Sequence, residues 1–376
     1  DPARPTDEMS EVYHAFAAER LRRMERRDRH HPCLVSPELS RALRLREVAP
    51  GAILPDLPAV AKRYGDRILP GSDGEHWRDQ ARAWQTDFAT YELDRIYTDP
   101  SALCTAICAV QSERLAQIVA TVRQGDPGGN LAFAAWADVT PAMVEGVVDV
   151  YRRLKLDAAC LCRIWRGEET PMPPLAAESA IPSARGVHIY DPHNLLADWD
   201  LRNSEDGAPQ PLLLASWRDD AELIALWRAI AMRGGRMAWL FPSDGNSIAS
   251  WGEELGRLCG AERPISMETA RGEWIVSTSH PLLAGVAEPG VWGMAHDALL
   301  PHVLLYNLPG QTLAVGGAIL EKDGLWRMGA ALHIAPLGAG ELLICTLPIV
   351  AGAAQRDASA TRLLANILSW LTEDMG

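Results

Sequence analysis

The chain has 376 residues, 48% of them hydrophobic and 23% charged, a balance that excludes a disordered or fibrous chain and, at about 100 to 200 residues per domain, allows two domains or three. Thirty-six basic against 49 acidic residues leave a net charge of -13, which disfavours nucleic acid or an anionic membrane and fits neutral or cationic ligands better. No window reaches about eighteen uninterrupted apolar residues, and the opening DPARPTDEMSEVYH lacks the basic, apolar and small-residue regions of a signal peptide, so no membrane span or targeting segment is expected.

Residues 8–31 carry apolar or small residues at helical spacing, with arginines gathered toward the end, and predict a helix. HPCLV, 31–35, reads as a short buried strand. The following SPELSRALRLREV reads as a helix, with Ser36 as N-cap, Pro37 at the first helical position and Glu38 in the first turn. Helical periodicity returns over 58–68, 77–97 and 101–124, the last stopped by GDPGG. NLAFAAWADV then reads as a strand buried on both faces. Alternating buried strands and helices predict an α/β architecture with parallel strands and chemistry at their carboxyl ends.

RGEETPMPPLAAESAIPSAR, 166–185, is rich in Pro, Glu and Ser and has no period, so it is the expected linker, with the boundary near 175. Strands follow at GVHIY, PLLLASW and RMAWLFP, with helices at DDAELIALWRAIAMRGG, closed by Gly234 and Gly235, and around SIASWGEELGRLCG. GEWIVST, QTLAVGGAIL, the hairpin-like EKDGLW, ELLICTLPIV and the helix ATRLLANILSWL complete a doubly wound α/β pattern. There are no internal repeats.

The seven cysteines, at 33, 104, 108, 160, 162, 259 and 345, are odd in number and sit mostly in apolar runs such as LLICTL, the pattern of buried free thiols in a reducing, cytoplasmic compartment. Neither Cys104 with Cys108 nor Cys160 with Cys162 has the two-residue spacing that favours zinc or redox chemistry. Thirteen Trp against four Phe admit two readings, indole faces that stack on sugar rings and ordinary core residues. GDPGGN precedes a strand rather than opening a helix and so does not cradle a phosphate. The run RLRRMERRDRHH has interleaved acids and reads as a solvated or partner-facing helix surface.

Two stretches of the first part resemble the glycoside hydrolases of family 2. RMERRDRHHPCLV, with Arg27, Asp28, His31 and Pro32, resembles the helix and strand that lead to that family's acid/base carboxylate. GGNLAFAAWADVTPAMVEGVVDVYRRLK, with Gly128, Gly129, Trp136, Asp138, Pro141, Val148, Asp149, Tyr151 and Lys155, resembles its last barrel strand and exit. In the second half, SHPLLAGV, GAGELLICTLPIV and DASATRLLANILSWL resemble the amidotransferase-like α/β domain appended to some β-glycosidases. Neither Cys259 nor Cys345 lies on the glycine-flanked strand-to-helix elbow that amidotransferase chemistry needs, so that domain reads as one for packing or assembly.

The resemblance implies part of a (β/α)8 barrel over 1–165, a linker over 166–185 and a flavodoxin- or amidotransferase-like doubly wound domain over 186–376. It implies either a retaining β-glycosidase acting on terminal β-linked sugars or a catalytically degenerate member that binds carbohydrate or serves in an assembly. The barrel would begin near its third helix, so a homo-oligomer or a partner chain is expected to complete it. The family's Asn-Glu pair is absent after HPCLV, where the strand runs straight into SPELS. The family's Ser/Thr-Glu-Phe/Tyr-Gly run has its nearest counterpart in Thr86-Asp87-Phe88-Ala89.

Retaining hydrolysis needs two carboxylates about 5 to 5.5 Å apart, one protonated and one ionised. Asp87 is the candidate nucleophile, with Glu92 and Glu75 in reserve, and Glu38 the candidate acid/base; each is also readable as a solvated surface acid or, for Glu38, a helix first-turn acid. Trp136 would form a sugar platform and Asp138 a hydroxyl contact or loop brace, against a core Trp and a loop-capping Asp. His76, His188 and His193 are readable as ligands or as hydroxyl donors. No histidine pair has helical metal spacing with a carboxylate, so neither a metal nor a cofactor is expected.

Overall fold

The computed structural model describes residues 45–48, 53–64, 73–125, 130–133, 138, 146–166, 168, 187–190, 196, 212–214, 220–240, 251–320 and 324–373. The helix expected over 8–31, the strand over 31–35, and the linker apart from residues 166 and 168 lie outside them. The chain forms two compact units, unit 1 comprising Asp1–Ala83 and Gln111–Thr170, and unit 2 comprising Trp84–Val110 and Pro171–Gly376.

In unit 1, β1 (Leu45–Val48) and β2 (Asn130–Phe133) pair in parallel, Leu45 opposite Asn130 and Val48 opposite Phe133. The helix expected through Val48 is therefore a strand over its last four residues. LREV is shorter than one period of either pattern can diagnose, and its pairing with β2 comes from more than eighty residues away in sequence. Of the strand expected over 130–139, Asn130–Phe133 form β2, and 134–137 and 139 lie outside the described residues.

Three helices here begin at side-chain caps. In α1 (Leu57–Tyr64) Asp56 Oδ1 accepts the Ala59 amide at 3.1 Å. In α3 (Pro100–Gly125) Pro100 stands in the first turn and Asp99 Oδ1 accepts the Ala102 amide at 2.9 Å. In α4 (Ala158–Arg166) Asp157 Oδ2 accepts the Cys160 amide at 2.7 Å. Between α1 and α3 runs α2 (Asp73–Thr90), whose residues from Trp84 onward belong to unit 2, as does α3 as far as Val110. Unit 1 buries Ile53, Leu54, Leu57, Trp77, Leu115 and Val147. No helix among the described residues is long and apolar enough to cross a membrane.

Among the described residues, unit 2 is a mixed α/β unit around a sheet of nine strands. Its parallel part runs β3 (His188–Tyr190), β4 (Leu212–Leu214), β5 (Gly235–Leu240), β11 (Gly340–Cys345). The antiparallel part holds β6 (Ser266–Ser277), β7 (Gly290–Val291), β8 (Val303–Tyr306), β9 (Gln311–Ile319) and β10 (Trp326–Leu337). The sheet is thus not doubly wound throughout. Connections such as 320–325 between β9 and β10 are too short for a crossover helix, which leaves antiparallel pairing as the available geometry.

The uniformly apolar strands have a direct cause. Met237 and Trp239 of β5, and Leu342 and Ile344 of β11, join one core with Leu223 and Trp227 of α5 (Asp220–Arg233) and Trp251 and Leu255 of α6 (Trp251–Cys259). Their alternates Ala238, Leu240, Leu343 and Cys345 join the other, with Ile349 of α7 (Ile349–Ala354) and Leu363, Leu364 and Ile367 of α8 (Ala358–Thr372). Strands buried on both faces lose the period-two signal. As expected, α5 ends at Gly234, whose φ of 80° is left-handed and whose amide donates to Ile230 O at 2.9 Å.

Candidate functional site

The most tightly organised polar site in unit 1 is the exit beyond β2. The segment from Val147 to Lys155 doubles back on itself: Val148 bridges Leu154, and Asp149 Oδ1 accepts the amides of Tyr151 and Arg153 at 2.8 and 2.9 Å. Asp149 is therefore the residue that shapes this turn. The Asp138 amide donates to Val148 O at 3.0 Å, and Asp138 Oδ1 accepts the Gly146 amide at 3.0 Å and Lys155 Nζ at 2.8 Å. Lys155 Nζ also donates to Ile53 O.

Both members of this ion pair are out of water, with side-chain exposures of 2% for Lys155 and 0% for Asp138. Asp138 Oδ2 is buried without a hydrogen-bond partner. Burial pushes the Asp138 carboxyl up to about 6 against the opposing pull of Lys155, so it changes charge close to neutrality. Arg63 of α1 lies over the Tyr151 ring, 5.5 Å from its centroid, and Tyr64 packs on the same ring at 5.3 Å. A buried carboxylate with one uncommitted oxygen can brace a loop, accept a hydrogen bond or hold a proton.

Asp87 is placed differently. It lies on the part of α2 that belongs to unit 2, is 2% exposed, and faces Arg327 of β10. Arg327 Nε donates to Oδ1 and Oδ2 at 3.1 and 2.8 Å, Arg327 Nη2 donates to Oδ1 at 2.5 Å, and the Met328 amide donates to Oδ2 at 2.8 Å. One turn on, Tyr91 Oη donates to Met328 O at 3.1 Å. Burial, reinforced by the Asp87 charge, pushes the Tyr91 phenol well up, so it stays a donor. The arrangement ties α2 to β10, with both Asp87 oxygens already accepting.

Glu92 is exposed, sits in a left-handed conformation at φ 53°, and pairs with Arg95 at 2.8 Å. Glu75 and His76 lie half-buried near the start of α2, in unit 1. Asp138, Glu75 and His76 thus fall in unit 1, and Asp87 and Glu92 in unit 2. Glu38, Trp136 and His193 lie outside the described residues. His188 is exposed on β3. Among the described residues no group of three or more His, Cys, Asp or Glu is placed to hold a metal ion.

All nine tryptophans whose side chains are described, from Trp77 to Trp370, are buried. Trp227, Trp239 and Trp251 meet edge-on at 5.1 to 5.9 Å, and Trp84 meets Trp274 at 5.8 Å. The indole excess of these residues therefore serves cores rather than a sugar platform. Burial also pushes the Cys259 and Cys345 thiols up to about 12, as inert structural cysteines.

Arg327 was not a candidate in the sequence. It is an isolated arginine 240 residues from Asp87, and nothing in its neighbourhood marks it. Lys155 entered only as the last residue of a motif, with no partner assigned.

Comparison of the sequence with protein-family models and with curated proteins finds no match. Among solved structures, an exo-β-1,4-mannosidase from Opitutaceae bacterium strain TAV5 aligns at 15% identity over 71% of this chain and 50% of its own, with a TM-score of 0.30. A β-galactosidase from Rahnella sp. R3 aligns at 13% identity over 69% of this chain and 42% of its own, with a TM-score of 0.28. The chain therefore spans half or less of the length of these two structures.

Proposed function

We propose that the chain is a carbohydrate-active protein of the retaining β-glycosidase kind, with its sugar-facing part at the exit of β2 in unit 1. One observation carries the reading. Asp138, Val148, Asp149, Tyr151 and Lys155, singled out by the second glycosidase-like stretch, form one hydrogen-bonded turn closed by a buried ion pair. In this reading Asp138 and Lys155 brace the exit of β2, and the turn formed by Asp149 fixes its register.

A second reading, a catalytically degenerate member that binds carbohydrate or serves in an assembly, is favoured by Asp87. The residue standing where the family's nucleophile is expected has both oxygens engaged by Arg327 and Met328, and an engaged, charge-paired carboxylate is a poor nucleophile. A homo-oligomer or a partner chain completing the barrel belongs to both readings.

The test is a panel of nitrophenyl β-mannoside, β-galactoside and β-glucoside, assayed for release of nitrophenol and, separately, for binding by calorimetry. Turnover supports the glycosidase. Saturable binding without turnover supports the degenerate member. Neither binding nor turnover with any glycoside overturns the carbohydrate reading.

A further inference from the structure

We infer that unit 2 carries a cleft beside edge strand β7 that takes a neutral, hydroxyl-rich ring. The inference rests on the carbohydrate reading above and adds a sugar contact within unit 2. The cleft has a volume of about 560 Å³, within the range of small-ligand sites. One wall is the outward side of α3 at Ala106, Ala109 and Val110, and the other is the loop 288–293 that contains β7.

That loop wall is built rigidly. The Val291 amide donates to Tyr97 Oη at 2.9 Å, the Trp292 amide to Ile275 O at 2.8 Å, and Trp292 Nε1 to Ser277 Oγ at 2.7 Å. His296, which also lines the cleft, holds Val286 O at 2.8 Å through Nε2. Gly290 turns the chain at φ 130°, where a Cβ would approach Tyr97 Oη to 3.1 Å. Tyr97 thus stands in for the next strand, satisfying the outward amide of β7 and protecting the sheet edge. A wall fixed by four such bonds needs little ordering when a ligand arrives.

The lining chemistry selects the ligand. Tyr97 Oη accepts from Val291 and keeps its own proton to donate. The exposed Glu288 supplies a carboxylate, which accepts from hydroxyls, and neither lysine nor arginine is among the described residues that line the cleft. An anion is therefore mismatched. A sugar ring matches on three counts: its C–H face lies against alanine and valine, one of its oxygens accepts from Tyr97, and its hydroxyls donate to Glu288.

The probes are methyl β-mannopyranoside and methyl β-galactopyranoside, titrated into the full chain and read by saturation-transfer NMR and calorimetry. Ala109 and Glu288 are exposed, so Ala109→Trp fills the cleft and Glu288→Gln removes its charge without touching a core, with circular dichroism confirming the fold of each. We expect at least one glycoside to bind with a Kd of about 1 mM, about tenfold weaker in Ala109→Trp and measurably weaker in Glu288→Gln. Equal binding in wild type and both variants overturns the inference. Binding that survives Ala109→Trp but is lost in Asp138→Asn also overturns it while leaving the carbohydrate reading intact, and no binding or turnover in the wild type sinks both.

Discussion

Arg327 grips Asp87 with two nitrogens, Nε at 2.8 Å from Oδ2 and Nη2 at 2.5 Å from Oδ1, and the next residue, Met328, adds its backbone amide to Oδ2. The carboxylate side chain is 4% exposed and the guanidinium 28%, so the pair is largely but not wholly desolvated. Asp87→Asn keeps the volume but leaves Arg327 without its counter-charge. We expect a loss of about 2 to 3 kcal/mol in unfolding free energy, at the low end of buried-pair effects because Arg327 retains some water. A double-mutant cycle with Arg327→Met should give a coupling of about 1 to 3 kcal/mol; additivity would show that the pair is incidental to holding α2 on β10.

Asp138 gives unit 1 a pH signature. Its folded-state value of about 6 lies above the ordinary 3.8, so the stability it contributes is complete below pH 3.8 and is lost as pH rises through about 6. At about 1.4 kcal/mol per unit the term approaches 3 kcal/mol. Hydrogen exchange resolved to residues 146–156 should slow between pH 7 and pH 4 beyond the intrinsic rate change. In Asp138→Asn that pH dependence should vanish.

His333 on β10 pulls unit 2 the other way. Its Nδ1 is 2.8 Å from Thr312 Oγ1 and its Nε2 3.0 Å from Pro309 O, and burial lowers it from 6.5 to about 4. Its contribution is present above pH 6.5 and is lost as pH falls toward 4, again a term of about 3 kcal/mol. Acid should therefore loosen β9 and β10 over the same range in which the exit of β2 tightens. His333→Gln should flatten the response of β9 and β10; an unchanged acid profile would assign the loosening to other groups.

Gly317 on β9 should not tolerate a methyl group. A Cβ there would stand 2.4 Å from the Trp274 ring, and one at Gly272 would stand 2.5 Å from Trp274 Nε1. Trp274 is fully buried and packs edge-on against Trp84, so it has nowhere to retreat. Gly317→Ala should cost about 2 kcal/mol or more by overpacking, read by denaturant unfolding, and Trp274→Leu in the same chain should recover part of the loss.

Thiol labelling separates the amidotransferase-like resemblance from amidotransferase chemistry. Cys259 and Cys345 are buried, with their thiols pushed up to about 12, whereas Cys162 is exposed. Iodoacetamide on the native chain at pH 7.5 should modify Cys162 well before either of the other two. Rapid modification of Cys345 would reopen the question of a nucleophile at the end of β11.

Local chemistry was the readable part of the sequence. Long amphipathic runs announced α3, α5 and α8, Gly234 marked the end of α5, and apolar runs located β5, β9 and β11. LREV misled because four residues are too few to distinguish a capped helix from a strand whose partner lies far away. Of the antiparallel portion of the sheet, the hairpin-like EKDGLW marked the connection between β9 and β10, while the other strands were read into a doubly wound pattern. At the candidate sites the motif drew attention to Asp138 and Lys155, but their pairing depends on a turn shaped by Asp149. Asp87 was singled out as a candidate nucleophile, and the structure sets it against Arg327 and the Met328 amide. Its partner on β10 is visible only in three dimensions, and an acid that is buried because it is paired looks, along a sequence, like any other acid.

The clasp between α2 and β10 also sets an order of events during synthesis. Trp84–Val110 leaves the ribosome long before the strands it packs on, and Arg327 follows Asp87 by 240 residues. At about 5 to 20 residues per second, this helical pair waits roughly 10 to 50 s for its platform. Over that interval a carboxylate and two tryptophan- and tyrosine-bearing turns destined for burial stand in water.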